Sequence, residues 1–230
     1  MMKVDNLPIG YGDRILVRDI SFEIAPGEVV LLAGANGTGK TTLLKSLASR
    51  AFPEIPSSVK DLPGRTKNGV VLVPTNIPKV KGFTVEAFIR TGCYAESNWR
   101  GEVSADVAGR LDEALELLGI QSLKKRDIAT LSDGEFQKAC LAVGLTRKAE
   151  VLLLDEPTAF LDVENRVDVL RTLRKAARDT GTSILFSSHD LHNAVKVSDR
   201  VFVLTRDGRF LSSDVDDKDA LLSEAFPGIW

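Results

Sequence analysis

Short runs that are apolar at every position recur along the chain: VVLLA at 29–33, VVLV at 70–73, VLLL at 151–154, ILF at 184–186 and VFVL at 201–204. A strand with one wet face alternates apolar and polar residues. A strand covered on both faces need not, so these five runs predict the interior of a parallel sheet. Helical spacing fills much of what lies between, at 40–50, 132–148, 163–179 and 190–197. Strands alternating with helices predict an α/β fold.

Two stretches depart from that rhythm. The first 28 residues predict strands over 3–7 and 15–24, stopped by Pro26-Gly27, as a small antiparallel edge sheet. Residues 84–130 offer no strand. Within them Val107, Leu111, Ala114, Leu115 and Leu118 form a helical stripe that starts after Ser104 and stops at Gly119. The expectation is one domain over residues 1–230: a mainly parallel sheet, an N-terminal antiparallel β unit, and a helical insertion over 84–148. The acidic stretch Asp214-Val215-Asp216-Asp217 reads as a solvated turn.

Composition narrows the class of partner. Thirty basic against 32 acidic side chains leave a net charge of −2, without the basic surplus that nucleic-acid binding demands. The apolar runs stop near five residues, far short of the roughly twenty of a membrane span. Met1-Met2-Lys3-Val4-Asp5 carries no signal-like apolar stretch. Cys93 and Cys140 are too few for a disulfide framework or a metal site, and buried thiols are the default reading.

The chemistry begins at Gly34-Ala35-Asn36-Gly37-Thr38-Gly39-Lys40-Thr41, which fits G-x-x-x-x-G-K-[ST] at every fixed position. It follows one predicted strand and opens a helix bearing Leu43, Leu44 and Leu47, the setting the motif requires. Glycines let several backbone N–H groups converge on one centre, and the helix N-terminus adds positive potential. Lys40 is placed to neutralise β- and γ-phosphates, and the Thr41 hydroxyl to ligate Mg²⁺. This makes the core a P-loop NTPase.

The run at 151–154 ends in Asp155-Glu156-Pro157. Consecutive side chains on a strand point apart, so one carboxylate can face a metal and the other a water. Asp155 is the candidate for holding Mg²⁺ and Glu156 the candidate general base. Ser187-Ser188-His189-Asp190 follows another predicted strand, which brings His189 to the same crevice beyond the strands' carboxyl ends. Alone, such a histidine reads equally as a hydrogen-bonded turn residue or a catalytic one. Ser132 with Glu135 forms a capping box that starts a helix bearing Phe136, Ala139, Cys140 and Val143. A capped N-terminus with serine and glycine is also an anion site.

With these pieces in order, the chain resembles the ATP-binding subunit of an ABC transporter over about residues 3–212. Gly34 to Thr42 is similar to the Walker A loop and Val151 to Glu156 to the Walker B strand. Leu131 to Glu135 is similar to the signature sequence, Ala159-Phe160-Leu161-Asp162 to the D-loop, and His189 to the switch histidine. Tyr11 stands where the family stacks a ring on adenine. The resemblance implies a head-to-tail homodimer with two ATP molecules between subunits. Each site then pairs one Walker A loop, with its Asn36, Gly37 and Thr42, with Ser132 and Gly134 of the opposite chain, and Asp162 lies nearby. Glu156, His189 and Lys40 are the implied catalytic residues, and ATP with Mg²⁺ the implied ligands. Integral membrane permease subunits are the implied partners, reached from the cytoplasmic side as a peripheral subunit. The form Leu-Ser-Asp-Gly-Glu-x-Gln-Lys, with Phe83-Thr84-Val85 and Thr91-Gly92-Cys93-Tyr94, resembles ATPases of iron-siderophore, haem and cobalamin importers. Val80, Phe83, Val85, Phe88, Tyr94 and Trp99 either line a groove for a permease helix or form the core of the insertion. A soluble ABC ATPase without a membrane partner, such as one serving iron–sulfur assembly, is the competing class.

Two positions depart from the family. Thr75 stands where a glutamine reaches Mg²⁺ and moves with the membrane subunits. Threonine keeps a hydroxyl but has less reach. Asp133 replaces the first glycine of the signature pair and brings a carboxylate to a phosphate site, where like charge opposes binding unless it points away or serves the cap.

Overall fold

The computed structural model describes residues 1–12, 14–48, 69–96, 104–214 and 217–227. Trp99, Val215 and Asp216 lie outside them. The chain opens with β1 (Met2–Tyr11) and β2 (Arg14–Ile24), paired antiparallel with Met2 opposite Ile24 and Tyr11 opposite Arg14. Their burial alternates: Met2, Val4, Leu7 and Ile9 on one strand and Val17, Ile20, Phe22 and Ile24 on the other turn inward. The pair is the small antiparallel sheet expected of the N-terminal unit, separate from the parallel one, and it lays its apolar face over that sheet. A two-stranded ribbon with one apolar face gains more by laying that face over a sheet than by extending its rim.

β3 (Val29–Gly34), β4 (Val70–Val73), β5 (Val151–Leu154), β6 (Ser183–Ser187), β7 (Arg200–Leu204) and β8 (Phe210–Ser212) form the main sheet, in the order β4-β5-β6-β3-β7-β8. All neighbours are parallel except β7 and β8. β8 is a strand the hydropathy pattern does not reveal, being short and only partly buried.

The uninterrupted apolar runs now have a cause. Val29, Leu31 and Ala33 of β3, with Leu152 and Leu154 of β5, turn to one core. Val30 and Leu32, with Val151 and Leu153, turn to the other. The second core is roofed by β1, β2 and the apolar face of α1 (Lys40–Ala48), where Phe22, Phe202 and Phe210 cluster with centroids 4.8–5.8 Å apart. The first core is closed by α2 (Val85–Gly92), α3 (Ala105–Leu117), α4 (Asp133–Thr146), α5 (Val163–Thr180), α6 (Leu191–Val197) and α7 (Lys218–Ala225). The predicted cap Ser104 accepts from the Val107 N–H at the start of α3, and Val107, Leu111, Ala114 and Leu115 are its buried stripe. No described residue from 84 to 130 belongs to a strand. Cys93 and Cys140 are buried free thiols, and burial pushes Cys140 up to about 12.

Candidate active site

The strand order sets the site. β4, β5, β6 and β3 are consecutive and parallel, so their carboxyl ends lie side by side along one rim, the usual ligand edge of such a sheet. From that rim rise Thr75 after β4, Asp155 and Glu156 after β5, Ser187 to His189 at β6, and residues 34–41 after β3.

Gly37 and Gly39 take φ of +81° and +105°, values that side chains avoid, and a Cβ at Gly39 would meet Ile9 and Leu16 at 3.1–3.2 Å. Lys40 folds back over its own loop, its Nζ donating to the carbonyls of Gly34 (2.7 Å) and Ala35 (3.3 Å). Burial lowers the Lys40 pKa, against the opposing charges of Glu156 and Asp155. The Thr42 hydroxyl donates to the Tyr11 hydroxyl, which places Tyr11, 63% exposed, beside the loop at the end of β1.

The two carboxylates are held apart just beyond the end of β5, each by its own partners. Asp155 accepts from Thr41 Oγ1 at Oδ2 (2.8 Å) and from Ser187 Oγ at Oδ1 (2.8 Å). Glu156 turns the other way at φ +51°, a strained value for a non-glycine residue. Its N–H donates to Ser187 Oγ (2.9 Å), and its Oε2 accepts from the backbone N–H of His189 (3.1 Å). Glu156 Oε1 lies 3.2 Å from His189 Nε2, yet it is buried without a hydrogen bond of good geometry. Burial raises the Glu156 pKa above its usual value, while the charges of His189 and Lys40 pull it back. A buried carboxylate oxygen wanting a donor, with a raised pKa, suits a group that takes a proton from water.

Ser187 is the residue the sequence reading passes over. It is fully buried, and its one hydroxyl donates to the Asp155 carboxylate and accepts from the Glu156 backbone N–H. Only the register that sets Leu154 opposite Phe186 brings it there, and nothing local in the sequence carries that information.

Residues 17–159, more than half of the chain, match the family model described as ABC transporter. The chain belongs to the ABC transporter family. It is 33% identical over 210 residues to the zinc import ATP-binding protein ZnuC of Roseobacter denitrificans, covering 89% of this chain and 75% of that one. It is 31% identical over 218 residues to the iron(3+)-hydroxamate import ATP-binding protein FhuC of Bacillus subtilis, covering 89% and 79%. The fold matches a metal-chelate type ABC transporter in an inward-facing conformation, with TM-score 0.81, 23% identity, and 98% and 88% of the two chains covered. The chain is thus an ABC-type ATP-binding subunit, an ATPase.

The residues expected to form the remaining motifs lie at the start of α4 and just before α5. Ser132 and Glu135 form the predicted capping box: the Glu135 N–H donates to Ser132 Oγ (3.2 Å) and the Ser132 N–H to Glu135 Oε2 (2.8 Å). These bonds hold the Glu135 carboxyl below its usual range. A Cβ on Gly134 would lie 3.3 Å from both Leu161 Cδ2 and the Phe160 carbonyl, so glycine here lets α4 approach the D-loop. Asp162 caps α5, accepting from the Asn165 N–H (2.9 Å), and the Asn165 bonds lower its pKa. Asp133 lies at the first turn of α4, 74% exposed, with Oδ1 2.7 Å from Lys79 Nζ. Thr75 donates its hydroxyl to the Asp155 carbonyl (2.8 Å), so in this geometry it acts on the metal candidate through its backbone.

Proposed function

We propose that this chain powers uptake of a metal ion or metal chelate through a separate membrane permease, as a head-to-tail homodimer that closes on two ATP molecules. One observation carries the chemistry: Thr41, Asp155, Ser187, Glu156 and His189 form a continuous run of hydrogen bonds from the phosphate loop to His189. The substrate class follows from what the relatives import, zinc for one and iron(3+)-hydroxamate for another. Among the described residues no helix is long and apolar enough to cross a membrane, and in this reading the permease supplies the transport path.

In this reading the loop N–H groups and Lys40 receive the triphosphate, and the Lys40 ammonium exchanges two loop carbonyls for phosphate oxygens. Thr41 Oγ1 and Asp155 Oδ2 supply hard oxygen donors 2.8 Å apart, a set that fits Mg²⁺ shared with phosphates. When bound, Mg²⁺ neutralises charge on the phosphate oxygens. Glu156 takes a proton from a water whose oxygen bonds the γ-phosphorus, while the bond to the β-phosphate oxygen breaks. His189, on its other side, orients the carboxylate. Ser132 and Gly134 of the opposite subunit complete the site, and Tyr11 stacks on the base. The chain then sits as a peripheral subunit on the cytoplasmic face.

For the permease, Val80, Phe83 and Tyr94 are exposed around α2, whereas Val85 is core and Phe88 packs 5.5 Å from Phe136. The three exposed residues are the proposed docking face. Size-exclusion chromatography of Glu156→Gln with and without ATP-Mg tests the dimer: ATP shifts the variant to twice its mass. A variant that binds nucleotide and stays monomeric refutes the sandwich, and failure to co-purify with any integral membrane protein refutes the transport role.

A further inference from the structure

Residues 74–84 run from β4 to α2 and are pinned at both ends. At the β4 end Thr75 holds the Asp155 carbonyl. At the α2 end the Gly82 N–H donates to Asp127 Oδ2 (2.8 Å), the Ile128 N–H to the Phe83 carbonyl (2.9 Å) and the Val85 N–H to the Arg126 carbonyl (2.9 Å). Between these anchors Lys79 crosses to the first turn of α4. Its Nζ donates to the Leu131 carbonyl (2.9 Å) and to Asp133 Oδ1 (2.7 Å), and lies 5.5 Å over the Phe136 ring. The turn's other carboxylate, Glu135, is engaged by Ser132 and lies 3.5 Å from Arg126 Nη1. Each acid of the turn is therefore met by a cation.

We propose that Lys79 is a positioning residue for the ATP sandwich: it fixes the first turn of α4 and cancels the charge of Asp133 where that turn meets the opposite subunit's triphosphate. This rests on the dimer proposed above. A carboxylate suits a helix N-terminus by itself but opposes an anion arriving at the same place. Exposed ion pairs add little to stability, which leaves charge balance and placement as what this pair contributes. The Lys79 ammonium holds a carbonyl as well as Asp133 and lies over the Phe136 ring, so the cation is fixed. Through Thr75 and the loop, the end of β5 and the signature turn become one connected piece. The carboxylate that breaks the family pattern thus has its counter-charge 54 residues away in sequence.

The test is steady-state hydrolysis across an ATP titration for the parent chain, Lys79→Met, Asp133→Gly and the double variant. Methionine keeps an unbranched apolar stem of similar length and removes the charge. Lys79→Met raises the KM for ATP about three- to tenfold, with a smaller change in kcat, as expected for one uncompensated charge near a polyanion. Added salt reduces that defect. Asp133→Gly alone lowers KM, because Lys79 is left to face the phosphates. The double variant returns to within about twofold of the parent, since both charges are gone. An unchanged KM in Lys79→Met overturns the proposal, and so does a double variant as impaired as the single one. A parent whose turnover per subunit is independent of subunit concentration, at all dilutions including those where it is monomeric, overturns the dimer itself and the proposal with it.

Discussion

Replacing Ser187 with alanine removes one oxygen from the most constrained point of the site. The hydroxyl is 0% exposed and serves two partners, donating to Asp155 Oδ1 and accepting from the Glu156 N–H. A hydrogen bond to a charged group contributes about 1.5–3 kcal/mol, and a buried N–H left without a partner costs about 1–3 kcal/mol. The two share one hydroxyl and do not add fully, so the net loss is about 2–4 kcal/mol. For a chain of this size each kcal/mol moves the midpoint by about 2–4 °C, giving a fall of roughly 8 °C. The same bond holds Glu156 at φ +51°, a conformation costing about 1–3 kcal/mol that persists only while its surroundings impose it. Released, the backbone relaxes and the carboxylate moves. A shift near 1 Å lowers kcat by up to about 100-fold, with little change in KM. Thermal denaturation and ATPase turnover read both effects. Ser188→Ala is the internal control, since it loses only a neutral bond from the Asp190 N–H. If Ser187→Ala melts with Ser188→Ala and turns over like the parent, the bridge does not hold the carboxylates and the reasoning fails.

Burial raises the Glu156 pKa, so between its usual value and the raised one the folded chain binds more protons than the unfolded. Stability therefore falls as pH rises through that window, and Glu156→Gln, which cannot ionise, becomes the more stable chain above it. Paired thermal melts from pH 4.5 to 8 check the sign, and a gap that shrinks with rising pH contradicts it. Its hydrolysis falls about 10²–10⁴-fold, the usual worth of a general base, and phosphate release measures it. Ser132→Ala breaks the capping box and costs about 1 kcal/mol, and adding Glu135→Ala costs less than a second full increment, since the two caps are reciprocal. Denaturant titration of the two single variants and the double variant reads this, and strict additivity refutes the box.

Features written within a few neighbouring residues were legible in the sequence. The phosphate loop, the acidic end of β5, the capping box at Ser132 and the helix after Ser104 each carry their own local signal, and the structure has them where those signals put them. What escaped depends on tertiary pairing. Ser187 looked like one of two serines before a histidine until the β5–β6 register placed it between the Asp155 carboxylate and the Glu156 backbone N–H. Asp133 looked like an uncompensated charge until the loop after β4 brought Lys79 to it. The placement of β1 and β2 over a face escaped for a similar reason: alternation says that one side is covered, not by what. Short α2, α7 and β8 were hidden because few of their residues are fully buried.

The alternation of β5 between two cores has a consequence for how the site tolerates change. Val151 and Leu153 serve one side of the sheet and Leu152 and Leu154 the other; the Asp155 N–H still bonds to the Val73 carbonyl, and Glu156 then leaves the extended backbone at φ +51°. A single inserted or deleted residue in this strand would exchange the two sides, and would carry Asp155 away from Thr41. Parity is thus a shared code: the same odd-or-even count that seals the interior also decides that a carboxylate meets the Thr41 hydroxyl. Changes in length here are closed to drift, while changes in side-chain size remain open.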